Sequence, residues 1–146
     1  FSFLLLLPFS EDEFHPYLII SILSIIWVND TFAFFVGKNL GKRKLFPSVS
    51  PNKTVEGFFG GLIFSVITAF VITNFYLHFS LIDWIVISLI VSITGTIGDL
   101  VVSKFKRQAN LKDSGNLMPG HGGILDRLDS LLFASPFVYL YINFII

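Results

Sequence analysis

All ten Lys and Arg residues of this 146-residue chain fall in two stretches, and long apolar runs flank both. Lys38, Lys42, Arg43, Lys44 and Lys53 form the first group; Lys104, Lys106, Arg107, Lys112 and Arg127 form the second. Such segregation suits a chain whose apolar runs cross a bilayer and whose basic stretches stay on one side of it. Only 14% of the residues are charged and 53% are hydrophobic, against about 25% charged in soluble domains. The composition therefore excludes an ordinary soluble globular domain. With no cysteine, disulfides, thiolate catalysis and Cys-ligated metals are excluded as well.

A helical span needs about 20 apolar residues. Tyr17–Val36, Val55–Tyr76 and Trp84–Val102 meet that length, and Ser130–Ile146 reads as a last span. Phe1–Phe9 is too short to cross and reads as the tail of a span, so the chain is expected to be truncated at its N-terminus. The expected fold is all-α: one polytopic membrane domain with four full transmembrane helices, a partial N-terminal one, and two basic cytoplasmic loops. Three complete crossings separate the acidic Ser10–Pro16 loop from the last span. Both basic loops then share one face, and the positive-inside bias makes that face cytoplasmic. The sequons at Asn29 and Asn52 are thereby kept from glycosylation.

Within the spans, Asp30 lies late in the first, and a carboxylate at the centre of a membrane helix costs about 3 kcal/mol. It is either an interfacial group reaching water or part of a polar site. Gly37, Gly41, Pro47 and Pro51 are expected to keep Gly37–Thr54 free of regular structure. Its glycine and lysine spacing does not fit a nucleotide-binding Walker loop, and its basic cluster could serve only to touch anionic headgroups. Thr54 is placed to cap the next helix, with Glu56 in the first turn. Gly57, Gly60 and Gly61 have the spacing of close helix packing. Trp84 and Tyr76 suit an interfacial aromatic belt, and His78 reads as interfacial and inert.

Ser103–Asp129 is the densest mixture of charge and glycine. Asp126 and Asp129, three apart, share a helix face, and Asp99 comes from the preceding span. Asp30, Asp99 and Asp126 are expected at one membrane depth. Grouped carboxylates suit Mg²⁺, which is commonly held by one or two carboxylates plus substrate phosphates. The Lys and Arg side chains suit phosphate oxygens. Gly122 and Gly123 leave backbone amides bare ahead of a helix, a favourable anion site. His121 has no second histidine nearby, which argues against zinc. The residues thus point to a membrane-embedded, Mg²⁺-dependent phosphate site.

Ser103-x-Phe105-Lys106-Arg107, Lys112-Asp113-x-Gly115 and Pro119-x-His121-Gly122-Gly123-Ile124-x-Asp126-Arg127-Leu128-Asp129 resemble the signature of the phosphatidate cytidylyltransferase (CDP-diacylglycerol synthase) family. Asn29-Asp30-Thr31 and Ser50-Pro51-x-Lys53-Thr54-x-Glu56-Gly57 resemble its preceding conserved region. Met118 stands where the family more usually has Leu, Ile or Phe. The resemblance implies the C-terminal half of an enzyme that transfers CMP from CTP to phosphatidic acid, in a bacterial cytoplasmic membrane with the site facing the cytoplasm. It implies Mg²⁺ at a two-cation site, the second cation unidentified. Asp99 and Asp126 become the metal carboxylates, with Asp129 and Asp113 as further candidates. Lys106, Arg107, Lys112 and Arg127 become the phosphate clamps, and Ser103 and His121 position phosphate. Lys53 and Thr54 approach from the first loop, and Gly122 and Gly123 contribute substrate-binding backbone. CTP, phosphatidic acid and membrane lipid are the expected partners. Nucleic acid is not, and homo-oligomer formation is left open. The alternatives are a related CTP-dependent enzyme acting on another lipid phosphate, such as an archaeal ether lipid, and a membrane ion or phosphate transporter.

Overall fold

The structure, a computed structural model, describes residues 2–7, 9–10, 13–14, 16–76, 78–109 and 125–145. Among these, α1 (Ser2–Leu6) is followed by a two-residue ladder of β1 (Phe9–Ser10) and β2 (Glu13–Phe14). Helix α2 (Pro16–Leu40) starts on a proline, whose fixed φ suits a first helical position and whose missing N–H costs nothing there. A second antiparallel ladder, β3 (Lys44–Phe46) and β4 (Ser50–Thr54), leads to α3 (Val55–Phe75), α4 (Leu81–Gln108) and α5 (Leu125–Phe144). Helices α2, α3 and α4 are long and apolar enough to cross a membrane, whereas the apolar part of α5, Leu128–Phe144, is shorter. The chain is an integral membrane protein on this pattern. Buried Leu18, Ile22, Ile25, Ile87, Val91 and Val138 knit the helices together, while Ile20, Trp27, Ile63, Ile67 and Phe70 remain exposed. In water such a surface would be costly; in a bilayer it is the solvated one.

The expected loop boundaries need correction. Gly37 lies inside α2, and the stretch expected to be irregular holds the β3–β4 hairpin. Pro47 occupies the second position of its turn, where its φ is preset, and the Val49 amide donates to the Phe46 carbonyl at 3.2 Å. Pro51 is tolerated because β4 pairs on one side only, so a missing donor can face away from the ladder. Helix α4 likewise extends past the expected Val102 to Gln108. Its 28 residues measure about 42 Å, so Ser103 to Arg107 form a helical extension beyond a ~30 Å hydrocarbon core.

Two local devices explain the helix starts. Thr54 Oγ1 accepts the Gly57 amide at 3.1 Å, as the cap reading expects. The segment before α4 contains a full capping box: the Asp83 amide donates to Ser80 Oγ at 3.2 Å and the Ser80 amide donates to Asp83 Oδ2 at 3.0 Å. Asp83 also accepts from the Tyr141 hydroxyl at 3.1 Å, which ties the start of α4 to the end of α5. Trp84 is fully buried. It packs on Tyr76 and Phe79 at 5.9 and 5.8 Å, and its Nε1 donates to the Tyr76 carbonyl at 3.4 Å. It is a core residue and not a belt residue, and His78, 4.9 Å from Phe79, joins the same aromatic cluster.

Pro136 sits inside α5, where it removes the amide that would bond the Leu132 carbonyl. The buried Ser135 hydroxyl donates to that carbonyl at 3.1 Å, the kind of side-chain substitution that keeps proline tolerable in a membrane helix. Ser135→Ala is expected to leave the carbonyl unsatisfied. It should lower stability by about 1 kcal/mol, read as a lower thermal midpoint in detergent, with little change in any activity measured below that midpoint.

Candidate active site

Four helix ends and the hairpin meet at one end of the bundle. The C-terminal half of α2, the start of α3, the second half of α4 and the first turns of α5 line a cavity of about 300 Å³ together with β3 and β4. The lining includes Asn29, Asp30, Lys53, Thr54, Asp99 and Asp129. Among the described residues, the first basic group and Lys104, Lys106 and Arg107 of the second border the same end.

Close helix approach sets this geometry. A Cβ added at Gly57 would stand 2.6 Å from the Ala33 carbonyl oxygen, and one at Gly61 would stand 2.7 Å from the Asn29 carbonyl oxygen. Only glycine lets α3 lie this near α2, the small-residue logic of membrane helix pairs. Asn29 is thereby buried against Ser65, whose hydroxyl donates to Asn29 Oδ1 at 3.4 Å, and the Asn29 amide donates to Asp30 Oδ1 at 3.4 Å. Asn29 orients Asp30. Asp30 itself belongs to the polar site and not to a merely interfacial position. The charges that act on it are Lys53 and Asp99.

Asp99 is the centre of the arrangement. It forms an ion pair with Lys53, and it accepts from the Ser103 hydroxyl one turn later at 3.4 Å. Asp129 of α5 lines the same cavity. Asp129 is buried and accepts from the Ser130 amide at 2.7 Å. Asp99 and Asp129 thus bring two carboxyl groups to one cavity. Their oxygens form a hard donor set from two helices, which fits Mg²⁺ completed by substrate phosphates. Among the described residues, no three His, Asp or Glu side chains converge tightly enough to hold a metal without such help.

The hairpin delivers Lys53. Lys44 pairs with Thr54 and Phe46 with Ser50, so β4 carries extra residues opposite one residue of β3. A bulge of this kind re-aims the side chains within it, and Lys53 lies in the bulged stretch. Glu56 braces the hairpin by accepting the backbone amides of Lys42 and Arg43 at 3.0 and 3.2 Å. Thr54 is wedged against Gly37, Gly41 and Gly57, so it works as cap and spacer as well as lining.

Of the residues singled out from sequence, Lys53, Thr54, Asp99 and Asp129 line the cavity. Ser103 acts on Asp99, and Lys106 and Arg107 lie in the last turn of α4. Asp126 and Arg127 are in the first turn of α5, but their side chains lie outside the described residues, as do Lys112, Asp113, His121, Gly122 and Gly123 altogether. Missed by sequence reasoning were Asn29, Thr96 and Ser130. Each is small and polar within an apolar run, a pattern shared with residues that only bond their own helix.

Comparison with known proteins agrees with this architecture. A solved structure described as an intramembrane enzyme for archaeal membrane lipids biosynthesis superposes with TM-score 0.64 over 87% of this chain and 78% of its own, at 18% identity, a likeness of fold. A phosphatidate cytidylyltransferase of Bacillus subtilis is 54% identical over 79% of this chain and 43% of its own length. Those of Staphylococcus haemolyticus and Staphylococcus aureus are 51% and 50% identical over 77% of the chain and 44% of their own lengths. The chain thus spans less than half the length of these curated relatives. A sequence model of the cytidylyltransferase family matches residues 1–145, and the chain belongs to that family.

Proposed function

We propose that this chain is the catalytic portion of a phosphatidate cytidylyltransferase, which converts CTP and phosphatidic acid to CDP-diacylglycerol and pyrophosphate. The observation that carries the reading is the convergence of Asp99, Asp129 and Lys53 on one cavity at one end of a membrane bundle. A lipid phosphate and a soluble nucleotide can meet at such a place, and relatives at about half identity carry the corresponding name.

In the reaction a phosphate oxygen of phosphatidic acid bonds to the α-phosphorus of CTP, and the bond from that phosphorus to the bridging oxygen of pyrophosphate breaks. The nucleophile is already anionic, since a phosphate monoester has a second pKa of about 6, so no strong general base is needed. The task is to bring two polyanions together in line and stabilise the departing charge. Asp99 and Asp129 would hold Mg²⁺, which supplies charge neutralisation on phosphate oxygens; Asp126 and Asp113 are further ligands in this proposal. Lys53, Lys106, Arg107, Lys112 and Arg127 contact phosphate, and His121 with the amides of Gly122 and Gly123 positions it. Ser103 keeps Asp99 oriented. The positive-inside bias faces the site to the cytoplasm, and the Bacillus and Staphylococcus relatives favour a bacterial cytoplasmic membrane. The transport alternative is not favoured. Its carboxylates belong near the bilayer midplane, whereas these lie at one end of the bundle.

The test is transfer of labelled CMP from CTP to phosphatidic acid in mixed micelles, with and without Mg²⁺, on this chain and on the complete protein. Mg²⁺-dependent CDP-diacylglycerol formation by the complete protein is expected. Its absence from a complete protein shown to be folded would overturn the reading. Activity of the complete protein alone would make this chain an incomplete half-site.

A further inference from the structure

We infer that Lys53 is an exchangeable counter-ion, which holds the cation position at Asp99 in the substrate-free protein and gives it up to the metal when nucleotide phosphates draw the ammonium away. The inference rests on the reading of the cavity as a nucleotidyl-transfer site.

Three carboxylates line the cavity, Asp30, Asp99 and Asp129, and Lys53 is the lysine among the lining residues described. Lys53 pairs with Asp99 and is also the attractive charge on Asp30. An ammonium in contact with an Asp99 oxygen and a divalent cation bound to that oxygen exclude each other. The competition is therefore direct.

The pair is built to exchange. The Lys53 and Asp99 side chains are 31% and 30% exposed, and a pair so accessible is weak and easily traded for another partner. The root of Lys53 is nevertheless fixed. Thr54, the next residue, is buried, capped onto Gly57 and wedged between glycines, and the hairpin is braced by Glu56. A fixed backbone with a flexible four-carbon stem lets the ammonium move while its origin stays put. Phosphate oxygens offer it several strong acceptors. Moving it there uncovers Asp99 when the triphosphate arrives, so nucleotide and metal favour each other's binding. Such coupling is reciprocal by linkage.

The experiment is a Mn²⁺ titration of the detergent-solubilised complete protein without nucleotide, with free Mn²⁺ read by electron paramagnetic resonance. Lys53→Gln is expected to bind Mn²⁺ about tenfold tighter than wild type, while Lys53→Arg, which keeps the charge, is expected to stay near wild type. The gain should disappear when Asp99→Asn is added to Lys53→Gln, and in turnover assays Lys53→Gln should raise KM for CTP. Unchanged or weaker Mn²⁺ binding by Lys53→Gln would overturn the exchange, as would a gain that survives Asp99→Asn. The titration needs no turnover, so it reports on Lys53 separately from whether the protein transfers CMP.

Discussion

Asp99→Asn in the complete protein is expected to lower CMP transfer by at least about a hundredfold, about 2.7 kcal/mol of transition-state stabilisation. The substitution keeps the shape and removes one charge at a point where the Lys53 ion pair and the Ser103 hydrogen bond meet, on a cavity wall shared with Asp129. If the two carboxylates hold a cation against substrate phosphates, its affinity and position both suffer. The size of the loss should match that of removing one preorganised charge-stabilising group, 10²–10³-fold in other enzymes. Ser103→Ala removes one hydrogen bond to the same carboxylate and should cost far less, about tenfold at most. The assay is initial-rate CDP-diacylglycerol formation, with the elution profile and thermal midpoint of each variant showing that the fold survives. An Asp99→Asn enzyme within about threefold of wild type would remove Asp99 from the chemistry.

The second large effect is steric. Gly98→Ala is expected to destabilise the bundle by about 1–3 kcal/mol relative to Gly95→Ala, although the two glycines lie one turn apart on the same helix. A Cβ at Gly98 would stand 2.5 Å from Phe133 Cβ and 3.0 Å from the Asp129 carbonyl oxygen, whereas one at Gly95 would meet Ser130 Cβ at 3.4 Å. The first contact is with the root of a side chain and with backbone, neither of which can swing aside. The second is ordinary van der Waals contact. Both substitutions gain the same intrinsic helix preference, about 1 kcal/mol, so their difference isolates the clash. Because the clash falls on the residue that carries the Asp129 carboxylate, Gly98→Ala should also lower CMP transfer well below wild type at temperatures where the protein is still folded. Paired thermal midpoints and initial rates measure both effects, and equal behaviour of the two alanine variants would refute the close approach of α4 and α5.

The three long spans were legible because apolar length is a one-dimensional property, and counting crossings put Lys53 and Lys106 at one end of the bundle. The Thr54 cap was legible for a similar reason: cap chemistry is local. The hairpin was not. Its ladders are a few residues long, too short for an alternation to show, and its two prolines signal a break whether or not strands flank them. The Ser80–Asp83 capping box leaves an ambiguous trace in the sequence, since both residues also favour turns. The place of Asp129 on the cavity wall could not be read at all. Residues three apart share a face, and only the packing of α5 on α4 shows that Asp129 reaches the cavity that Asp99 lines. The Lys53–Asp99 pair joins residues from separate elements and exists only once α2, the hairpin and α3 have fixed where β4 ends.

The hydrogen bond from Tyr141 to Asp83 has a mechanical consequence. It fastens α4 and α5 at the end of the bundle opposite the cavity. From Tyr141 to Asp129 the helix runs about 18 Å. A swing of α5 by about 5° around the fastened end would carry Asp129 about 1.5 Å relative to Asp99, with almost no displacement at Tyr141 itself, the small-angle hinge behaviour by which packed helices open and close a site. The Tyr141–Asp83 bond and the two carboxylates thus lie at opposite ends of the same helix pair.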